Sequence, residues 1–389
     1  MRIICEQKEL LMVLNDIACA INVVAKKQAL IHIEAINGII RFGYKEKTIT
    51  VCCEAIGTID AEGKINVNAL RFFNIIKGLP EKTIIISTNE NNQMSIECEK
   101  IKYLLTAYKS REDIKFRQSN NMITVSKAAL KDAIAKTEYA ISKENIGWFH
   151  GVNMEIDNNK LKLLTSDGHR IAMKSIEVKS QSLNCSEIIK VIVPGKTIRM
   201  ISAMISDTPG EICIGIFENE IVFSYDKTVV ISKLVKTLQP DYLKRIVLHS
   251  SDFGTQLYIN KCELKECVYR IIQFFDGRKR NVNFRVLLII IGNEVFVKGE
   301  VLLDENCIDF YNETIGILKN GKDVTIALNP NYIKDVIETI DDEKIVMSID
   351  SSFEPCFIKN EDQSYTSVIL PLLNAKAGEN GYKELEPWD

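Results

Sequence analysis

The sequence predicts an α+β fold made of three successive copies of one unit, each with two helices packed on antiparallel sheets. Two observations predict it. Apolar segments at helical spacing recur in pairs along the 389 residues, and between them lie short alternating strands broken by Asn, Asp and Gly.

Each unit opens with a short strand followed by a helix. The three opening helices span Glu6 to Ile21 (EQKELLMVLNDIACAI), Ser126 to Ile141 (SKAALKDAIAKTEYAI) and Asn260 to Phe275 (NKCELKECVYRIIQFF). Leu10, Leu130 and Leu264 hold matching places, so the unit recurs at roughly 120–135 residues. A second helix follows in each unit at Asn68 to Lys77, Gly195 to Ser206 and Asn331 to Ile340. Pro194 and Pro330 suit helix starts, where a missing N–H costs little. Segments such as GIIRFGY, KTITVCCEA and EIVFSYDKTVVISKLV read as strands, and Met154 to Leu164 reads as a hairpin turning at Asp157, Asn158 and Asn159. The expected domains are 1–122, 123–248 and 249–373, with 374–389 as a flexible polar extension. Sheets carrying helices on one side leave strand edges open, which invites pairing with the next unit or with another chain.

Composition bounds the function. Hydrophobic residues make up 46% and charged residues 26% of the chain, as in an ordinary globular protein. The 11 cysteines are scattered without zinc-site spacing and often sit in apolar runs, which reads as buried thiols in a reducing compartment. The start, MRIICEQKELL, lacks a signal-peptide layout, and the longest apolar run, Val286 to Ile291, is strand-sized. A cytoplasmic protein without a membrane segment is expected. The net charge of −3 argues against a protein whose affinity comes from neutralising many phosphates, though a locally basic surface remains compatible with it. No nucleotide loop of Walker type and no HExxH helix occurs, so no cofactor, metal or catalytic site is expected. Ser166, Asp167 and His169 are the triad residue types, but they are adjacent, and a triad needs side chains converging from separate elements.

The stretch LTSDGHRIAM, Leu164 to Met173, resembles the TDGHRLA segment of the bacterial DNA polymerase III beta subunit family, the sliding clamps. Five further stretches match in order: RFFNIIKGLP (Arg71 to Pro80), VIVPGK (Val191 to Lys196), SKLV with PDY (Ser232 to Tyr242), LNPNYIKDVI (Leu328 to Ile337) and VILPLL (Val368 to Leu373). The likeness covers about residues 1–373. It implies three DNA-clamp domains per chain and two chains closing head to tail into a ring. Helices would line the hole and sheets would form the outer wall. The expected protein is a non-catalytic processivity factor in DNA replication. It would encircle double-stranded DNA without regard to sequence and tether the replicative DNA polymerase, the clamp loader and other clamp-motif proteins. Attachment by encirclement also reconciles the acidic balance with DNA binding, because the inner surface needs only weak phosphate attraction.

The resemblance assigns residues. A hydrophobic pocket for partner peptides falls on Ser166, Gly168, His169, Arg170 and Ile171, with Phe149 and Pro240 as further walls. Lys244 or Arg245 supplies a cation, and Val368, Ile369, Leu370, Pro371 and Leu372 form the tail side. Ser166 stands where Thr is usual, Phe149 where an aliphatic residue is common, and the chain continues past the usual terminus. DNA contacts are expected from Lys26, Lys27, Arg71, Lys77, Lys127, Lys131, Lys143, Trp148, Lys196 and Arg199. The subunit contact falls on Tyr103 and Leu105 against Phe274 and Phe275 of a second copy, giving a homodimer. The alternative is a phage-, plasmid- or mobile-element-type clamp serving a dedicated polymerase.

Overall fold

The computed structural model describes residues 1–24, 29–89, 93–110, 122–144, 147–157, 159–182, 188–205, 209–237, 254–275, 285–304 and 307–372. The chain falls into two compact units. One comprises Met1–Ile134, Ile146–Leu163 and Ile176–Thr237, the other Ala135–Asn145, Leu164–Ser175 and Leu238–Asp389.

Among the described residues the helices are α1 (Gln7–Val24), α2 (Ala69–Gly78), α3 (Lys127–Thr137), α4 (Gly195–Met204), α5 (Lys261–Phe275) and α6 (Pro330–Thr339). They stand where the repeat places them, two per repeat. Side-chain caps fix the starts of α2, α5 and α6. Asn68 accepts the Arg71 N–H at 3.0 Å, Asn260 accepts the Cys262 and Glu263 N–H groups, and Asn329 accepts that of Asn331 at 2.9 Å. Pro330 occupies the first turn of α6, whereas Pro194 caps α4 from outside. Each helix buries one stripe: Leu10, Val13, Leu14 and Ile17 on α1, then Leu264, Cys267, Val268, Ile271 and Phe275 on α5. Truncating such a fully buried Ile or Leu to Ala costs about 2–5 kcal/mol.

In the first unit a fourteen-stranded antiparallel sheet crosses from the first repeat into the second. The crossing is a ladder between Thr228–Lys233 and Ile49–Ala55, with Thr228 opposite Cys53 and Ser232 opposite Ile49. In the second unit the ladder between Arg170–Glu177 and Tyr365–Ile369 does the same for the second and third repeats, with Arg170 opposite Ile369 and Lys174 opposite Tyr365. Besides the terminal strands of the sheets, two strand stretches keep an open edge among the described residues. Residues 101–106 of Ile101–Lys109 pair only with Gln93–Cys98. The first part of Cys307–Gly321 pairs only with Glu294–Asp304, before its last residues turn to Thr255–Asn260.

A partly buried polar cluster supports the ladder in the first unit. Asp16 of α1 accepts from Thr228 Oγ1 at 2.7 Å and from the Tyr225 hydroxyl at 3.2 Å. Lys127 reaches Asp226 at 2.5 Å and lies 5.2 Å from the centre of the Tyr225 ring. Lys127 therefore corrects the sequence expectation. At 2% exposure it is turned into the fold with its charge already met, and it offers nothing to DNA. Phe275 is a second correction: it is wholly buried in the core of the second unit, so only its neighbour Phe274 is partly accessible.

Burial pushes the Asp16 carboxyl up from its ordinary value, and nearby Asp226 adds to the rise; the Thr228 and Tyr225 hydroxyls and Lys127 oppose it. The folded protein thus holds this proton more tightly than the unfolded chain. The resulting stability is present below the ordinary carboxyl pKa and is lost as pH rises through the folded value. Asp16→Asn keeps an acceptor but cannot ionise. The Tm of the variant relative to wild type should therefore climb as pH is raised from about 4 to 7; a flat or falling difference would contradict this account of the cluster.

Candidate functional site

The segment Ser166–Ile171 is a turn locked by its own side chains. Gly168 has φ +92°, a left-handed conformation that suits glycine. The Gly168 N–H donates to Ser166 Oγ (3.1 Å), and Ser166 donates its hydroxyl to the Arg170 carbonyl (2.8 Å). Asp167 accepts the N–H groups of His169 and Arg170 at 3.0 and 3.1 Å. The Ser166 hydroxyl is thus spent on the backbone and not on His169, so these residues form no nucleophile–base pair.

Arg170 is the hub. Its Nε donates to Asp167 (2.9 Å), one terminal nitrogen donates to Asp335 of α6 (2.5 Å), and the other to the Tyr139 carbonyl (2.9 Å). The guanidinium lies over the Tyr139 and Tyr332 rings, 5.0 and 4.4 Å from their centres. Burial works against its charge, but Asp335 and Asp167 more than offset this and raise its pKa above the ordinary arginine value. The Tyr139 hydroxyl meets those of Tyr365 (2.7 Å) and Ser367 (2.9 Å), and Thr339 donates to Tyr365 at 3.0 Å. Burial pushes the Tyr139 phenol well above its usual range, so it remains a donor.

The tail strand runs along this turn. Ile171 faces Val368, the Leu370 N–H donates to the His169 carbonyl (2.9 Å), and the Leu372 N–H donates to that of Ala327 (2.8 Å). What emerges is a surface of exposed Gly168 and His169, with Tyr332 stacked 6.4 Å from His169, beside half-buried Leu370, Pro371 and Leu372. Ser166, Arg170, Ile171, Val368 and Ile369 are buried and frame that surface from below. Phe149 belongs to the other unit, in the turn Gly147–His150, where it stacks on Trp148 at 4.3 Å. Pro240, Lys244 and Arg245 lie outside the described residues, as does the extension 374–389. Tyr139, Tyr332 and Asp335 were missed in the sequence. The last two stand three apart at the start of a helix inside LNPNYIKDVI, a readable signal, whereas nothing in the sequence ties Tyr139 to Arg170.

Of the expected DNA-facing cations, Arg71, Lys77, Lys143, Lys196 and Arg199 are exposed and Lys131 is half-buried. Lys196 and Arg199 lie three apart on α4. Lys26 and Lys27 lie outside the described residues. Trp148 is 5% exposed, so its ring is not available to stack on a base. Tyr103 is 41% exposed on the open strand and Leu105 is half-buried. Burial pushes the thiols of Cys5, Cys52 and Cys267 up to about 12, so these three are packing residues and not nucleophiles. No described helix is long and apolar enough to cross a membrane.

Models of the DNA polymerase III beta subunit match the chain at residues 124–241 (central domain) and 251–373 (C-terminal domain). The chain belongs to this family. Among its relatives is a beta sliding clamp from Chlamydia pneumoniae, 26% identical over 345 residues, which cover 87% of this chain and 89% of that one. A solved DNA polymerase III beta subunit from Eubacterium rectale superposes with a TM-score of 0.85 at 28% identity, over 96% of this chain and 99% of that one. A sliding clamp from Pseudomonas aeruginosa, solved bound to griselimycin, shares the fold at a TM-score of 0.83 and 18% identity, over 96% and 100% of the two chains.

The left-handed Gly168 gives the turn a specific weak point. Gly168→Ala should destabilise the chain by roughly 1 kcal/mol or more in urea unfolding, because alanine must adopt a backbone conformation it disfavours. Unchanged stability would mean that the turn does not hold this φ in solution.

Proposed function

We propose that this chain is a non-catalytic sliding clamp, two copies of which close head to tail around duplex DNA and tether a replicative polymerase. The observation that carries the reading is the family match across two consecutive domains. On it, 1–122, 123–248 and 249–373 are three equivalent ring segments. A clamp loader opens the ring, and the surface around His169, Tyr332 and Leu370 to Leu372 receives peptide segments of the partners. Griselimycin, with which the Pseudomonas aeruginosa clamp was solved, is the probe we choose for that surface.

The chain's own joints support the closure. In both ladders a late strand of one repeat (Thr228–Lys233 or Tyr365–Ile369) pairs antiparallel with an earlier strand of the repeat before it. The next members of that series are the two open strands, Ile101–Lys109 and Cys307–Gly321, which no intrachain joint uses. Ile101 follows its hairpin turn as Thr228 does. Likewise Ile315 follows Val295 in pairing as Ala55 follows Ile40, so Glu313 corresponds to Cys53. Transferring the register sets Ile101 against Glu313 and Leu104 against Phe310 of the second copy. Leu104 and Phe310, 55% and 69% exposed in the single chain, would then cover each other.

DNA attraction in this reading is collective, from exposed Arg71, Lys77, Lys143, Lys196 and Arg199, and it is sequence-independent. The test is retention on a nicked circular plasmid after loading. The wild type should co-elute with the circle and be released when the plasmid is linearised. Lys127→Met should be retained like wild type, while Lys196→Ala combined with Arg199→Ala should slip off faster as salt rises. Release that does not depend on a DNA end would contradict encirclement.

A further inference from the structure

We propose that Asp335 and Tyr139 are positioning residues for the partner site, acting through Arg170, and that Arg170 itself holds the site together without touching the bound peptide. The inference rests on the peptide-site reading above and concerns how that site keeps its shape.

Arg170 has little left to offer a ligand. Its side chain is about nine-tenths buried, three of its nitrogens are engaged within the fold, and its guanidinium lies over two tyrosine rings. Its partners come from three separate elements. Asp167 lies in the site turn, Asp335 lies on the first turns of α6, and Tyr139 lies in the short helical turn Glu138–Ala140 that follows α3. One guanidinium thus ties the turn to the helix that carries Tyr332 and to the segment whose hydroxyl reaches Tyr365 and Ser367 of the tail strand. The surface elements of the site, exposed His169 and half-buried Tyr332 and Leu370, are each one step from this hub: His169 precedes Arg170, Tyr332 stacks on it, and the Leu370 N–H donates to the His169 carbonyl. Loss of a single outlying partner should therefore loosen all three.

Asp335 is the discriminating position. Its side chain is a third exposed on a helix surface, so its neutral isostere should fold. Full-length wild type, Asp335→Asn, Arg170→Lys and the double variant would be titrated with griselimycin by calorimetry, with amide exchange followed over residues 166–171. Each single variant should bind roughly tenfold more weakly, and the double no more weakly than the worse single, because both changes break one network. The 166–171 amides should exchange faster in Asp335→Asn while the melting temperature barely moves. Losses that add, or an Asp335→Asn variant with wild-type affinity and exchange, would overturn the proposal. A wild type that fails to bind griselimycin would sink the site reading instead. The exchange data would then still decide whether Asp335 fixes the turn, faster exchange supporting the positioning role and unchanged exchange refuting it.

Discussion

The architecture depends on the backbone hydrogen bonds of sheet edges. A strand on an edge presents unpaired N–H and C=O groups, and a repeat of this size ends its sheets in two such edges. The chain meets the demand twice by pairing one repeat's late strand with the preceding repeat's earlier strand, at Thr228–Lys233 with Ile49–Ala55 and at Tyr365–Ile369 with Arg170–Glu177. That device explains why the helices can be modest in length: they cover sheets whose continuity is already set by ladders. It also leaves the open stretches of Ile101–Lys109 and Cys307–Gly321. Neither is blunted by proline, and both expose large apolar side chains at Tyr103, Leu104 and Phe310. Such edges are a liability in a lone chain and an asset in a closed assembly.

Both joints carry a partly buried polar cluster next to the ladder. In the first unit Asp16, Tyr225, Thr228 and Lys127 meet beside the Thr228 end of the ladder. In the second, Arg170, Asp167, Asp335 and Tyr139 meet beside the Arg170 end. Burying charge is costly unless it is paired and hydrogen-bonded, and a half-satisfied cluster is worse than an apolar one. Here the pairing is extensive, and its geometry fixes one register of strand against strand. The second cluster lies under the turn Ser166–Ile171, so the groups that meet at this joint also shape the surface around His169.

Much of this was legible in the sequence because it is local. Leu10, Val13, Leu14 and Ile17 declare α1 by spacing, Asn329–Pro330 declares the start of α6, and Asp167–Gly168 declares a turn. Direction was harder to read where a residue stands at the start of a helix. Lys127 could face solvent or the fold, and only the long-range meeting with Tyr225 and Asp226, about a hundred residues away, decides it. Trp148 and Phe275 misled for a related reason: an aromatic next to a loop or a helix end looks available until the tertiary packing covers it. Tyr139 and Arg170 met without a shared motif, through a fold no window of sequence encodes. Apolar periodicity and turn chemistry carry the scaffold, whereas polar pairs at the joints are set by topology.

The central claim is that the two open edges complete each other in a second copy, in the register the internal joints use. The direct measurement is crosslinking of a chain carrying both Leu104→Cys and Phe310→Cys under mild oxidation, read by mass without reductant. Antiparallel neighbours on one face come close enough for a disulfide. The expected product is a covalent species of twice the 44.1 kDa chain mass, absent when either cysteine is introduced alone. A doubly substituted chain that stays at the mass of one copy in solution would contradict the closure, and with it the ring.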